Sequence, residues 1–350
     1  MRVMLWTEAF WPTIGGSEVA ATTLIDALRA RGHTFAVVTP RGADTPDTHT
    51  DYHGTPVLRV PVQDDFYGSP TGIGIEAMML RQRVGRLKQQ FQPDLVHVSL
   101  PGPSTILHKW TTPSVVDCPT LVSMHVAFNE AEIKDRSWSV RTTVDADWIT
   151  TCSRDLLSKT TRALPEVADR ISVAYNGLPM PALEPAPLPF DPPRLFAAGR
   201  IVEQKGFEYA VEALPRLRER FPGIRLTIAG DGELRSHIES LAAELNVSEA
   251  LEVLGWVDPS EIPTWINRST VVLMPSRWEP FGLTALQAAQ LARPAVVAAV
   301  DGLPEVVEDG VTGRLHKPHD VDSLIEAVTG VLTDPQRAAA LGRAGRQRTA

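Results

Sequence analysis

The sequence is short of cysteine, of long apolar runs and of positive charge. Only Cys118 and Cys152 occur in 350 residues. That excludes a disulfide framework or zinc-finger spacing and points to a reducing cytoplasm. No apolar run approaches the ~20 residues that a membrane span needs. The first residues, Met1-Arg2-Val3-Met4-Leu5-Trp6-Thr7-Glu8, meet an acid too early for a secretory signal. Lys+Arg 34 against Asp+Glu 42 gives a net charge of −8. No global basic field is available for nucleic acid, so none is expected as a partner. Short-period repeats are also missing.

What is present is ordinary for a folded enzyme-sized protein: 43% hydrophobic and 22% charged residues, in a length that suits two domains. Apolar runs and helical spacings alternate along the chain. Strands are expected at 3–6, 35–38, 57–60, 95–98, 121–124, 148–151 and 171–174, with a helix at 17–31 that Gly32 stops. Residues 178–193 hold seven prolines in sixteen positions. Proline fixes φ and removes a donor, so this segment reads as a stiff extended linker. A second series follows. Its strands are expected at 195–198, 226–229, 251–253, 271–274 and 295–298, and its helices at 207–220, 234–245, 260–267, 283–291, 322–332 and from 335 onward. The expected class is α/β: two Rossmann-like doubly wound domains, 1–177 and 194–350, facing across a cleft that strand C-termini line.

The richest stretch is Pro275-Ser276-Arg277-Trp278-Glu279-Pro280-Phe281-Gly282-Leu283-Thr284-Ala285-Leu286-Gln287. A strand ends before it, and Gly282 opens a helix whose free N–H groups and positive end form an anion site. Glu279 stands beside that site, and Gln287 lies one turn into the helix. A carboxylate next to a phosphate cradle suits a ligand with hydroxyls and phosphates, which describes a sugar nucleotide. Arg200 and Lys205 flank another strand-to-helix loop and could hold a diphosphate, or be solvated charges. Gly15-Gly16 open the first helix, where Ser17 can cap, and either admit a phosphate or ease a turn. They lie too far from the strand for a dinucleotide fingerprint. Gly230-Asp231-Gly232 reads first as a tight turn. His125, at the end of a strand, could bind a hydroxyl or be structural. His49-Thr50-Asp51-Tyr52-His53 offers metal ligands but lies in a polar loop, and Asp145-Ala146-Asp147 is a short D-x-D match of little specificity. The helix 79–90 carries Arg81, Arg83, Arg86 and Lys88. It could meet anionic lipid weakly or touch an anionic acceptor, but reads first as a solvated face.

Taken in order and spacing, these motifs resemble the retaining glycosyltransferases of family 4, with the GT-B fold. Gly302 with Pro304-Glu305, Gly310 and Gly313 extend the resemblance over nearly the whole chain. The resemblance implies transfer of a hexose from a UDP- or GDP-linked sugar to a hydroxyl of a sugar, lipid-linked or small-molecule acceptor. It implies no cofactor and no metal, because Arg200 and Lys205 would neutralise the diphosphate. Backbone near Gly282, Leu283 and Thr284 would complete the cradle, and Gly16 would approach the phosphates. Glu279 would hold sugar hydroxyls, and His125 would contact the sugar and support catalysis. Backbone near Gly255, Trp256 and Val257 would meet the base. Where the family has a second glutamate for the ribose, this chain has Gln287, which implies weaker donor binding. Family members also usually continue past the equivalent of Arg346-Gln347-Arg348, so either looser coupling of the domains or an incomplete copy is expected. The implied place is the cytoplasm, with the inner membrane face as an option. The rival readings are an inactive sugar-nucleotide binder and a GT-B epimerase.

Overall fold

The computed structural model describes residues 1–12, 15–41, 49–61, 75–112 and 116–349. Two compact units emerge, Met1–Gly177 and Leu178–Ala350. In the first, the described strands are β1 (Arg2–Thr7), β2 (Thr34–Pro40), β3 (His49–Tyr52), β4 (Thr55–Val60), β5 (Leu95–Leu100), β6 (Thr120–Met124), β7 (Trp148–Thr151) and β8 (Ile171–Val173). They pair in the order β3-β4-β2-β1-β5-β6-β7-β8. Every pairing is parallel except β3 with β4. The buried faces of β1 and β2 hold Val3, Leu5, Phe35 and Val37 against Ala21 and Ile25 of the helix Gly16–Arg29. A parallel sheet covered on both faces needs such continuous apolar strands.

β3 departs from expectation. Residues 49–53 were expected as a polar loop, and instead His49–Tyr52 pairs antiparallel with β4 through a two-residue turn. His53 and Gly54 both have positive φ, +50° and +85°, the geometry that a tight hairpin requires. The Asp51 carboxylate accepts the Gly54 N–H at 2.6 Å. Polar side chains suffice there because an edge strand buries little.

The second unit contains β9 (Arg194–Ala198), β10 (Arg225–Ala229), β11 (Leu251–Gly255), β12 (Val271–Met274), β13 (Ala295–Ala298) and β14 (Gly313–His316), ordered β11-β10-β9-β12-β13-β14. All described pairs are parallel. β12 and β13 are buried throughout. The helix Phe207–Arg220 turns Phe207, Ala210, Val211, Leu214 and Leu217 inward against Leu195, Leu226 and Ile228. β14 was not expected, since its Gly-Arg-Leu-His sequence is short and mixed.

The proline-rich segment does not stand free. Asn267 accepts the Ala186 N–H at 2.9 Å and donates to the Glu184 carbonyl at 2.9 Å. Gln290 donates to the Leu178 carbonyl at 2.9 Å, and Arg293 to that of Ala186 at 2.8 Å. A backbone stripped of donors by proline offers mainly carbonyls, and buried side-chain amides and a guanidinium satisfy them. The segment is thereby fastened to the second unit.

Candidate functional site

In the second unit the chain starts at β9, runs outward through β10 and β11, then crosses to β12 on the other side of β9. The loops after β9 and β12 therefore leave in opposite directions. In open parallel sheets the crevice at such a reversal is where ligands bind. Here the two loops carry Arg200, Lys205 and Glu279.

Their contacts are specific. Lys205 Nζ donates to Glu279 Oε2 at 2.6 Å, with both side chains largely buried. Asp301 accepts the Glu279 N–H at 2.7 Å, and the Glu279 carbonyl accepts from Gly302 N–H at 3.1 Å. The carboxylate is thus held by its own backbone as well as by its partner. The loops are also joined beside the pair. Arg277 N–H donates to the Gln204 carbonyl at 2.8 Å, and Gln204 donates to the Trp278 carbonyl at 3.3 Å. The Arg277 guanidinium bonds Glu208 at 2.8 Å and lies 5.2 Å from the Tyr209 ring centre. The hydrogen bond to Glu208 raises the Arg277 pKa. Gly206, at φ +60°, permits the approach: a Cβ there would fall 2.3 Å from the Pro275 carbonyl oxygen.

Gly282, at φ +107°, begins the helix Leu283–Gln290, and no side chain caps that end. The first-turn amides, at Leu283 and Thr284 among others, have no acceptor four residues back within the helix. Arg200 is exposed, and among the described residues its side chain has no hydrogen-bond or ion-pair partner. Gln287 lies one turn after Leu283 on the same helix face, partly exposed. Two cations, a fixed carboxylate and an uncapped helix end therefore gather at one sheet edge. That set can bind a diphosphate and, beside it, a polyhydroxyl group.

Other expected residues have different surroundings. A Cβ on Gly230 would sit 1.9 Å from the Gly199 carbonyl oxygen, so close packing of two loops demands glycine there. Val257, just past β11, packs partly buried against the core that includes Phe196 and Val272. In the first unit Gly15 and Gly16 open the helix, but Ser17 does not cap it. Its hydroxyl donates to Glu18 at 2.8 Å, and Glu18 is buried. His125 follows β6, 3.4 Å from the Ser99 hydroxyl. Burial lowers its pKa to about 4, so the ring is neutral at pH 7. His97, likewise held at about 4 by burial, lies 2.7 Å from the Ser123 hydroxyl.

Three weaker candidates have the following surroundings. Asp145 pairs with Lys109, and Asp147 accepts the Thr120 N–H at 2.8 Å. His53 packs edge-on against Tyr52. Lys88 is not on a solvated face: in the helix Ile75–Phe91 it is fully buried, while Arg81, Arg83 and Arg86 are exposed. Asp301 escaped sequence reasoning. The signal was the Asp301-Gly302 pair, a turn dipeptide in which Asp301 takes φ +44°.

Two family descriptions tile the chain. Glycosyltransferase Family 4 matches residues 14–180, and Glycosyl transferases group 1 matches residues 183–348. The glycogen synthase of Mycobacterium tuberculosis is 31% identical over 99% of this chain and 90% of its own length. The chain belongs to the family 4, group 1 glycosyltransferases. It is an enzyme of that class. An uncharacterised glycosyltransferase of Methanocaldococcus jannaschii is 26% identical over 95% of the chain and 90% of its own length. Solved structures agree on the fold. Sucrose-phosphate synthase from Thermosynechococcus elongatus has a TM-score of 0.80 at 21% identity, covering 99% of this chain and 94% of its own. Anabaena HepE in complex with UDP-glucose has 0.80 at 18%, covering 100% and 94%. The glycosyltransferase therefore has the GT-B architecture, built of two Rossmann-like units.

Proposed function

We propose that this glycosyltransferase moves a hexose from a UDP- or GDP-linked sugar to a hydroxyl acceptor, with retention and without a metal ion. The observation that carries the reading is the Lys205–Glu279 pair at the β9/β12 reversal, beside exposed Arg200 and the uncapped helix at Gly282. Arg200 and Lys205 place two positive charges where a diphosphate would sit, each charge-assisted bond contributing about 1.5–3 kcal/mol. They supply the charge neutralisation for which a metal would otherwise be used. An ammonium has three donors, so Lys205 can keep Glu279 while it binds a phosphate oxygen. Glu279 then accepts from hydroxyls of the transferred sugar.

In the transfer, the bond from the anomeric carbon to the diphosphate oxygen breaks and a bond to the acceptor oxygen forms on the same face. The departing phosphate takes the acceptor's proton. Preorganised cations and helix amides stabilise the charge that develops on the leaving group. His125, neutral at pH 7, serves as a hydrogen-bonding partner of the donor sugar and carries no charge of its own. Gln287 takes the ribose hydroxyls with an amide in place of a carboxylate. The base meets backbone near Val257. The reaction takes place in the cytoplasm, with the acceptor a sugar, a lipid-linked glycan or a small molecule.

The relatives favour this donor class without choosing within it. The HepE complexes hold UDP and UDP-glucose. A GDP-mannose-dependent mannosyltransferase of Mycolicibacterium smegmatis is 35% identical over 45% of this chain and 43% of its own length. A thermal-shift panel of UDP-, GDP- and ADP-sugars tests the reading. One nucleotide class should raise the melting temperature, and Glu279→Gln should reduce the effect of the sugar more than that of the free diphosphate. No stabilisation by any nucleotide would sink it. Gln287 favours one rival, a binder without activity, and donor turnover that depends on Glu279 decides against it. Incubation with donor alone, assayed for an epimer, tests the epimerase.

A further inference from the structure

The first unit holds a second collection of cations, at the opposite sheet edge from His125. β6 begins at Thr120 and ends at Met124, so these two ends mark the two edges. A surface depression of about 370 Å³, open to solvent, is lined by Lys109, Arg136, Arg141, Val144 and Asp145. An adjoining pocket of about 130 Å³ shares Lys109 and Asp145 and adds His108, Thr112, Thr120 and Thr142.

Charge in this region does not balance. Lys109 pairs with Asp145, and Arg136 with Glu166 at 2.6 Å. Among the described residues Arg141 has no carboxylate partner: its Nε donates to the Arg136 carbonyl at 2.7 Å, and its guanidinium lies 5.0 Å from the Trp138 ring centre. Lys88 lies behind the smaller pocket. It is fully buried and donates to Thr112 Oγ1 at 2.6 Å and to the His108 carbonyl at 3.2 Å. Among the described residues no carboxylate pairs with it. His108, 3.1 Å from Nζ, is kept neutral by burial and by Lys88 and Lys109, with its pKa at about 3. Burial raises the Cys118 pKa, so that neighbour stays a thiol. Four cations thus face three carboxylates, Asp145, Glu166 and Asp147. Buried charges are normally paired, because desolvating a lone ion is costly. Several of these cations stand in the last turns of helices, where the helix dipole offsets part of the charge.

We propose that this pocket binds a small phosphomonoester. The phosphate would lie against Lys109 and Arg141, the latter a lining cation with no carboxylate partner among the described residues. The hydroxyls of Thr120 and Thr142 border the same space and suit a hydroxyl-bearing organic part. The reading stands independently of the donor site in the second unit.

The test uses the full chain and two probes, inorganic phosphate and glycerol 3-phosphate, with glycerol and sodium chloride of equal ionic strength as controls. Calorimetry and thermal shift should show saturable binding of glycerol 3-phosphate, at about 1 mM or tighter. Glycerol and chloride should give none. Lys109→Ala and Arg141→Ala should each weaken binding at least about tenfold, the loss expected of one charge-assisted hydrogen bond. Should the alanine variants fail to fold, Lys109→Gln and Arg141→Gln carry the same expectation. Absence of saturable binding up to about 20 mM, far above the affinity that such contacts imply, overturns the proposal. So does binding that survives the double substitution, which would assign the anion to other cations such as Arg200 and Lys205.

Discussion

The crevices at β1/β5 and at β9/β12 share a topology and differ in chemistry. Each lies where its chain reverses direction across the sheet. At β9/β12, Lys205, Arg200 and a bare helix end present positive charge around one anchored carboxylate. At β1/β5 the polar groups satisfy one another. Glu8 accepts from the Ser104 N–H at 3.0 Å and from its hydroxyl at 2.6 Å, and Trp6 donates to that hydroxyl at 2.7 Å. Nearby, His97 and His125 are neutral. The comparison teaches that the same doubly wound plan can gather cations at one reversal and mutually bonded polar groups at the other. An edge of hydrogen-bonded groups, the Glu8 carboxylate among them, suits hydroxyls instead.

The sharpest way to break this contrast is Lys205→Ala. Loss of one preorganised charge beside the leaving group should lower kcat/KM about 10²–10³-fold. It also leaves buried Glu279 unpaired, at roughly 2 kcal/mol of stability. A steady-state assay and urea unfolding measure both, and near-wild-type turnover would refute the role. Glycine substitutions probe the loops themselves. Gly230→Ala puts a Cβ into a backbone oxygen and should cost about 3 kcal/mol. Gly15→Ala meets only the Glu18 side chain, 2.6 Å away, and should cost less than about 1 kcal/mol because that end can move. Equal losses would show that the two loops are packed alike.

Acid should expose the neutral character of the first crevice. His97 has an ordinary pKa of 6.5 and is held at about 4 in the fold by burial and by His125. The unfolded chain therefore binds the extra proton first. Its contribution to stability is complete above pH 6.5 and declines as pH falls towards 4, by about 2.5 kcal/mol at pH 4.5. His97→Gln should flatten that part of the melting-temperature profile, and an unchanged slope would count against a buried neutral ring. The smallest expected effect is at Gln287. Gln287→Glu should lower the donor KM about three- to tenfold by restoring a charged acceptor. A KM that stays level or rises would remove Gln287 from the ribose site.

Much of the fold was legible because buried parallel strands are apolar on both faces. Residues 271–274 and 295–298 were bounded correctly from their runs alone. β3 and β14 were not, because edge strands bury little and leave no periodic signal. Glu279, Lys205 and Gly282 could be singled out by residue type and position after strands. That Lys205 would bond Glu279 could not, since 74 residues separate them. Lys88 was misplaced because its neighbours Arg81, Arg83 and Arg86 are exposed and a basic helix normally faces water.

Sequence alone determined the α/β class, the alternation of elements, the resemblance to family 4 and the departure at Gln287. These are properties of local pattern, written residue by residue. Tertiary structure decided which loops meet, which charges are paired and which are buried. Placing β12 beside β9 brings Glu279 to Lys205, and the same kind of packing leaves Lys88 buried without a carboxylate partner among the described residues. Such outcomes depend on strand order and burial, which couple residues far apart in the chain, and no local pattern encodes that distance.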